Sequence, residues 1–318
     1  MFRKSSWTVL TLLCTVAAPV VARAQGLETL GNRASALSAF VAVADDAAAV
    51  AWNPAGLVFG PIFNASLDLG RSTSAVNGRN TGSAQAGRVG STLVAFGVPP
   101  LGLSYYRLSA SGLATSPDDQ GSAGRQDRQA EVRTLVTHHV GVTVLQSLGD
   151  YITVGSTLKV VRGSVGGAGG QTTADVDAGV IVSAGKLRAG LVARNLTTPS
   201  FGSDAARMSL NRHARAGVAW GERWPGLPRT IVALDADLTR VPHPGGDRRD
   251  VALGVERWLR AQQVGVRAGV RSSTVGDARP VVSGGASYAV RAGMYVDGYV
   301  AGGANKHRAF GIAGRVAY

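Results

Sequence analysis

Residues 30–57 read LGNRASALSAFVAVADDAAAVAWNPAGL and decide the fold, because they break a pattern that the rest of the chain keeps. From residue 62 onward, apolar and polar residues alternate with the period of two that is typical of half-buried β-strands. The quoted stretch instead carries runs of Ala and Val, two consecutive Asp residues and an Asn-Pro-Ala-Gly turn. A segment that does not alternate therefore precedes a large β-structure.

The same stretch predicts short helical turns. Alanine-rich segments favour helix, and Asp45 or Asp46 can cap a helix over residues 47–51 by accepting backbone N–H bonds. Pro54 disfavours helical geometry at Asn53, so the helix is expected to end there.

The alternating region predicts fourteen strands, at 62–71, 89–97, 100–110, 131–147, 150–163, 173–184, 186–197, 209–220, 229–241, 248–259, 262–273, 280–289, 292–302 and 307–318. Connections after the odd-numbered strands are mostly long, and those after the even-numbered strands are tight, except for 221–228. Outer-membrane barrels sort their loops in this way, with the short turns in the periplasm. The sequence thus predicts an all-β fold, a 14-stranded antiparallel transmembrane β-barrel.

The alternation also predicts which face of each strand meets lipid. An Arg or Lys that faces lipid near the membrane midplane costs about 2–4 kcal/mol, so charged positions should face the lumen. We expect these lumen charges to pair with one another and with the N-terminal segment rather than to contact a ligand. The predicted set comprises Asp175, Asp177, Asp235, Asp237, Asp297, Arg194, Arg267, Arg271 and Arg315, with Asp68, Glu256, Arg133, Lys159, Arg188 and Arg215 on the same faces.

Residues 1–24 have the features of an export signal. A basic start precedes an uncharged core at 7–16, and Ala22-Arg23-Ala24 predicts cleavage after Ala24. The single cysteine, Cys14, would leave with the signal, so no thiolate metal site or disulfide is expected. The predicted location is the bacterial outer membrane.

Charge and chemistry exclude several classes of function. The formal charge of +13 is scattered singly along the chain, which indicates contact with anionic lipopolysaccharide and outer-membrane lipid, or with an anionic solute, rather than with nucleic acid. The histidines are dispersed, and His138 and His139 point to opposite faces of one strand, so they cannot bind one metal together. No catalytic constellation, metal site or cofactor site is predicted, so the protein is not expected to be an enzyme.

Residues 31–57 resemble the N-terminal plug of the FadL/TodX family of outer-membrane channels for hydrophobic compounds, which includes PorV-like proteins. The family pattern is matched by Gly31, Arg33, Ala34, Ala36, Phe40, Val41, Ala42, Asp45, Asp46, Ala47, Trp52, Asn53, Pro54, Ala55, Gly56 and Leu57. It departs at Ser38 and Ala39, where many members carry Gly. The resemblance implies a signal peptide at 1–24, a plug at 25–60 that fills the lumen, and a barrel at 61–318.

The carboxyl end looks like the signal that the barrel-assembly machinery reads, with Phe310, Ile312, Val316 and Tyr318 on one face. Glycines inside strands, namely Gly97, Gly102, Gly141 and Gly155, are predicted kink sites in the wall.

The resemblance implies passive uptake of a small hydrophobic ligand, such as a long-chain fatty acid or a hydrocarbon, by a monomer. In the family the ligand binds at the loop face, passes a rearranging plug and leaves sideways into the bilayer. The alternative is a PorV-like barrel that acts as a shuttle or scaffold for secreted proteins.

Overall fold

The computed structural model describes residues 22–23, 30–76, 85–114, 131–167, 169–202, 207–222, 229–241, 247–276, 278–304 and 306–318. Most of the predicted signal peptide, residues 25–29 of the predicted plug and much of the predicted long loops lie outside the described residues.

The helices all lie in the N-terminal segment, by which we mean residues 30–60. They are α1 (Asn32–Leu37), α2 (Ala49–Trp52) and a 3-10 helix (Pro54–Phe59). Among the described residues, none of the helices is long and apolar enough to cross a membrane.

The strands are β1 (Ala22–Arg23), β2 (Asn64–Val76), β3 (Gln85–Val98), β4 (Leu101–Ala114), β5 (Glu131–Leu148), β6 (Ile152–Val165), β7 (Gln171–Ala184), β8 (Leu187–Arg194), β9 (Ser200–Phe201), β10 (Met208–Ser209), β11 (His213–Gly221), β12 (Thr230–Asp237), β13 (Asp250–Leu259), β14 (Val264–Ser273), β15 (Val281–Arg291), β16 (Met294–Gly303) and β17 (His307–Ala317).

Fourteen of these strands, β2–β8 and β11–β17, form one closed antiparallel barrel, so the predicted barrel is confirmed. The barrel closes between β17 and β2, where Gly311 pairs with Gly70. Each of the fourteen predicted ranges overlaps one barrel strand. Every strand of the wall has one side facing outward and one facing the lumen, so each strand shows the alternation in its own sequence.

The two faces of the wall differ in chemistry. Phe310 is 60% exposed and Val300 is 65% exposed, whereas the side chains of Asp297 and Arg267, on the alternate positions, are buried. An exterior of exposed apolar residues around a polar interior is the arrangement of a membrane barrel.

The N-terminal segment lies inside this wall. All residues from Leu30 to Leu57 are buried. Helix α1 packs against β13–β17 and β2, α2 packs against β4, and the 3-10 helix packs against β5, β6 and β7. The segment therefore touches strands around most of the barrel's circumference.

Two local predictions were wrong. Helix α2 begins at Ala49 rather than residue 47, because the Asp46 side chain accepts the Ala48 N–H (3.0 Å) and forms a separate turn before the helix. The strand predicted at 209–220 begins at His213, because Ser209 belongs instead to a small sheet in which β10 pairs with β9 and β1. The pairing runs unbroken through Gly97, Gly102, Gly141 and Gly155, so no β-bulge lies at these predicted kink sites.

Candidate functional site: the lumen and its N-terminal segment

Arg33 joins the N-terminal segment to the wall. Its guanidinium binds Glu256 of β13 in a bidentate pair, with Nε–Oε2 at 2.7 Å and Nη2–Oε1 at 2.8 Å. Its Nη1 contacts Asp45 and lies 3.3 Å from Asp46 Oδ2. Burial alone would lower the pKa of Arg33, but the Asp45 and Glu256 carboxylates raise that pKa well above its usual value. The arginine is thus a fixed cation between two carboxylates of its own segment and one of the barrel.

Asp45 extends this network along the wall from β13 toward β8. Its carboxylate binds Arg229, which precedes β12, and lies 3.7 Å from Arg188 of β8. Arg229 is not among the lumen charges predicted from the sequence. Arg229 lies an even number of positions before Asp235 and Asp237, so the alternation of the strand predicts that it also faces the lumen.

Phe40 and Trp52 form the apolar centre of the segment. Their rings meet edge to face with centroids 6.0 Å apart, and the Trp52 Nε1 donates to the Leu30 carbonyl at 2.8 Å. Arg194 lies over the Trp52 ring at 4.9 Å and donates to the Trp52 carbonyl at 3.0 Å. Arg194 therefore binds the segment rather than another wall residue.

The Asn53-Pro54-Ala55-Gly56 turn is held by the Asn53 side chain. Its Oδ1 accepts the Ala55 N–H at 3.2 Å, and its Nδ2 donates to the Val41 carbonyl at 3.0 Å and to the Val180 carbonyl of β7 at 3.4 Å. One amide thus fixes the turn, the preceding loop and the wall together. Gly56 is packed against Ala44 so closely that a Cβ would overlap the Ala44 carbonyl, and Gly31 adopts a φ of 76° that favours glycine.

Backbone groups of the segment find partners on the wall. Asp235 Oδ2 accepts the N–H groups of Phe40 (2.7 Å) and Val41 (3.0 Å), and Asp68 Oδ1 accepts the Asn32 N–H at 2.8 Å. Ser283 donates to the Ala36 carbonyl at 2.7 Å. Two of the inward carboxylates therefore serve as acceptors for peptide groups of the segment.

Inward-facing glycines let the segment approach the wall. A Cβ at most of them would overlap atoms of residues 30–60, and a Cβ at Gly102 or Gly217 would lie only 3.0–3.1 Å from such atoms. We call these residues the glycine belt: Gly97, Gly102, Gly155, Gly179, Gly190, Gly217, Gly254, Gly269, Gly285 and Gly311. This role was not predicted from the sequence, because a glycine in a strand can either bend the strand or allow a neighbouring backbone to come close, and the local sequence does not distinguish the two.

The remaining lumen charges pair nearer the long-loop end of the barrel. Lys159 contacts Asp177 at 2.7 Å and Asp175 at 3.0 Å. Asp237 accepts from Arg215 Nε at 2.6 Å and from His213 Nε2 at 2.8 Å.

A second group lies near the tight-turn end. Asp297 lies 3.1 Å from Arg315 and 3.7 Å from Arg267. Arg271 is half-buried on the same face of β14 as Arg267, but toward the long-loop end of that strand. Among the described residues there is no group of three or more His, Cys, Asp or Glu that could hold a metal.

The predicted assembly signal lies on the outer face of the last strand. Phe310, Ile312 and Tyr318 are exposed and Val316 is half-buried. The backbone of Tyr318 exchanges two hydrogen bonds with Phe63, at 2.8 and 2.9 Å. The carboxyl end is thereby tied to the residue that precedes β2.

A loop residue that the sequence analysis missed closes part of the long-loop end. Phe201 is fully buried against Gly163, where a Cβ would overlap its ring. It belongs to an apolar cluster with Leu135, Val161, Val165, Met208 and Leu210. The loop between β8 and β11 thus packs into the barrel mouth.

Several solved structures have a similar architecture. The chain matches the CymD monoaromatic hydrocarbon channel with a TM-score of 0.61 and 13% identity, over 93% of this chain and 99% of that one. It matches the Ralstonia pickettii toluene transporter TbuX with a TM-score of 0.61 and 14% identity, over 92% and 99%. A Pseudomonas aeruginosa FadL homologue gives a TM-score of 0.60 and 12% identity, over 91% and 98%.

Searches by sequence gave no counterpart: no protein-family model matches the chain, and no curated protein does. At identities of 12–14% the structural likeness establishes the architecture alone. The chain has the fold of the FadL/TodX-type outer-membrane hydrocarbon channels.

Proposed function

We propose that the protein is an outer-membrane channel for passive uptake of small hydrophobic molecules, and that residues 25–60 form its plug. The observation that carries the proposal is that the N-terminal segment lies buried inside a closed barrel, attached to nearly opposite sides of the wall through Asp68 of β2 and Asp235 of β12. A lumen filled by a separately attached segment, rather than by wall side chains, supports a passage that opens when the segment rearranges.

The segment's attachments suit such a rearrangement. They are ion pairs and hydrogen bonds to many strands, with apolar contact through the glycine belt. A neutral hydrogen bond, such as that from Ser283 to the Ala36 carbonyl, can be exchanged for water at a modest net cost of about 0.5–1.5 kcal/mol, whereas the buried ion pairs cost more to break. The wall ladders do not have to break for the segment to shift.

The substrate class is proposed from physical chemistry and from the fold. CymD and TbuX are a monoaromatic hydrocarbon channel and a toluene transporter. An apolar solute gains free energy on entering lipid, so uptake into the membrane needs no energy source. The segment and the mouth are rich in buried apolar side chains, including Phe40, Trp52 and Phe201, which an apolar solute would contact once the segment rearranges.

Uptake into cells tests this proposal. Cells with and without the gene are given radiolabelled toluene and a radiolabelled long-chain fatty acid, with and without an uncoupler. The expected result is faster gene-dependent accumulation of at least one compound that the uncoupler does not abolish. Equal uptake of both compounds in the two strains would contradict the proposal. Recovery of a secreted protein with the barrel, in place of any uptake, would favour the PorV-like alternative.

We also propose export and assembly in line with this role. Cleavage after Ala24 would leave residues 25–29 ahead of the segment, and the exposed aromatic face that ends at Tyr318 would be read by the barrel-assembly machinery. Mass spectrometry of the membrane-inserted protein checks the first, since a mature chain that begins at Gln25 is expected and one that retains Met1 would refute it.

A further inference from the structure

A row of basic side chains lies on the outer face of one half of the barrel. Each points away from the lumen, and all but the half-buried His138 are exposed. We call this row the basic belt: Arg71, Arg88, Arg107, His138, Arg162 and Arg308. Its members occupy six strands that are adjacent in the barrel, β17 and β2–β6.

The middle of the basic belt is continuous across three strands. Arg107 pairs directly with His138, and His138 pairs directly with Arg162. The Tyr105 hydroxyl lies 3.0 Å from His138 Nδ1. Directly opposed side chains have Cβ atoms about 4.5–5.5 Å apart, and like charges at that spacing repel. The two arginines on either side of one imidazole therefore make a strong local positive potential.

No acidic side chain offsets this potential. On the described outward-facing positions of β17 and β2–β7 there is no Asp or Glu. Within the described part of the chain, Arg107 and Arg162 make no ion pair. The lumen arginines differ, since Arg33, Arg215 and Arg315 each bind a carboxylate.

The basic belt lies at one edge of the apolar exterior. On β4 the outward positions run Leu101, Leu103 and Tyr105 before Arg107, and on β6 Leu158 and Val160 precede Arg162. In each case the arginine lies on the long-loop side of the apolar residues. An arginine costs about 0–1 kcal/mol at the membrane interface but about 2–4 kcal/mol at the midplane, so this edge marks the interface.

We propose that the basic belt binds the phosphate groups of an anionic lipid of the outer leaflet, with the lipid A part of lipopolysaccharide as the occupant. Long loops of such barrels face the cell exterior, so the belt lies at outer-leaflet headgroups. Guanidinium groups bind phosphate through paired hydrogen bonds. A molecule with acyl chains beside Leu103 and Val160 and phosphates beside Arg107 and Arg162 matches both the apolar and the charged surface. The inference needs the membrane placement but not the transport activity.

The opposite rim supplies a matched control. On the described outward-facing positions of β7, β8 and β11–β16, the arginines are Arg257 and Arg291, and both lie beside tight turns. They have the same chemistry at the periplasmic end, where the inference assigns no lipid A.

Native mass spectrometry of the purified full-length mature protein, titrated with lipid A in detergent, tests the site. The variants are R107Q/R162Q and R257Q/R291Q, each first checked for the heat-dependent electrophoretic mobility of a folded barrel. Each arginine near an anionic surface contributes about 1 kcal/mol, so R107Q/R162Q is expected to bind lipid A about 30-fold more weakly. R257Q/R291Q is expected to bind like the wild type.

Two further arms identify the ligand. Dephosphorylated lipid A is expected to bind the wild type no better than it binds R107Q/R162Q. Inorganic phosphate at millimolar concentration is expected to leave lipid A bound. Equal lipid A binding by the wild type and R107Q/R162Q would overturn the proposal. The proposal would also be overturned if R257Q/R291Q lost as much lipid A binding as R107Q/R162Q. It would likewise be overturned if the wild type bound dephosphorylated lipid A as well as lipid A, or if inorganic phosphate displaced lipid A. Because the readout is lipid binding, a negative uptake experiment would leave this result standing.

Discussion

The arginines inside the barrel and those of the basic belt on its outer face have the same side chain in two different environments, and their roles differ accordingly. Arg33 is 5% exposed and contacts three carboxylates, whereas Arg107 is exposed and has no acidic neighbour on its face. A buried cation without a carboxylate partner costs several kcal/mol, so an arginine in the lumen needs such a partner. An arginine at the membrane interface does not need one, and its charge remains available to bind lipid.

The largest effect is expected from removing the centre of the lumen network. Arg33→Met leaves Glu256 and Asp45 buried with fewer partners, which costs about 3–5 kcal/mol. Hydrogen exchange of residues 34–57 should accelerate strongly, while the strands of the wall keep their protection. Arg257→Met, on the outer face, is the control and should leave exchange in the segment unchanged. Equal exchange in Arg33→Met and the wild type would mean that the ion pairs do not hold the segment.

A smaller loss of stability is expected from a substitution in the glycine belt. In Gly155→Val the new side chain overlaps the backbone of Pro54 and Ala55, and overpacking of this kind costs about 1–3 kcal/mol. Gly90 has open space where its Cβ would be, so Gly90→Val is the matched control. Thermal unfolding in detergent should show a lower midpoint for Gly155→Val only. A shift of the same size in both variants would point to strand propensity instead of contact with the segment.

The backbone anchors of the segment are expected to have an effect of similar size. Asp235→Ala removes the acceptor of the Phe40 and Val41 N–H groups, and charge-assisted bonds of this type contribute about 1.5–3 kcal/mol. Asp235→Asn keeps one acceptor oxygen and should lose less. The hydrogen-exchange rates of the Phe40 and Val41 amides report the effect directly. Rates in Asp235→Ala equal to those of the wild type would mean that Asp235 does not anchor the segment.

The smallest effect belongs to the exterior. Lys186 and Glu222 form an ion pair at 2.5 Å, with 50% and 39% of their side chains exposed. Exposed pairs contribute about 0–1 kcal/mol, so Lys186→Ala should change the unfolding midpoint very little. A loss as large as that of Arg33→Met would erase the distinction between the two faces of the wall.

The sequence predicted the barrel because its deciding information is local. Alternation places Asp235 and Asp237 on one face and Leu234 on the other without knowledge of any partner. The same parity would have placed Arg229 in the lumen. The pairing of Asp45 with Arg229 could not be predicted, because 184 residues separate them and only the closed wall brings them together.

Other features needed contacts that no local pattern encodes. Strands β9 and β10 have two residues each, and their pairing depends on Phe201 reaching Gly163 across the mouth. Gly155 looks like a strand-weakening residue until Pro54 and Ala55 are seen against it. The position of α2 depended on Asp46 forming its own turn with Ala48.

Conductance in planar lipid bilayers tests the central claim, that residues 25–60 close the lumen of the barrel, most directly. The mature protein is compared with a variant in which residues 25–60 are deleted, after both have been shown to fold as barrels. The account predicts little steady conductance for the mature protein and a large, stable conductance for the deletion variant. Equal conductance for two folded barrels would contradict it, because the lumen would then be closed by something other than the N-terminal segment.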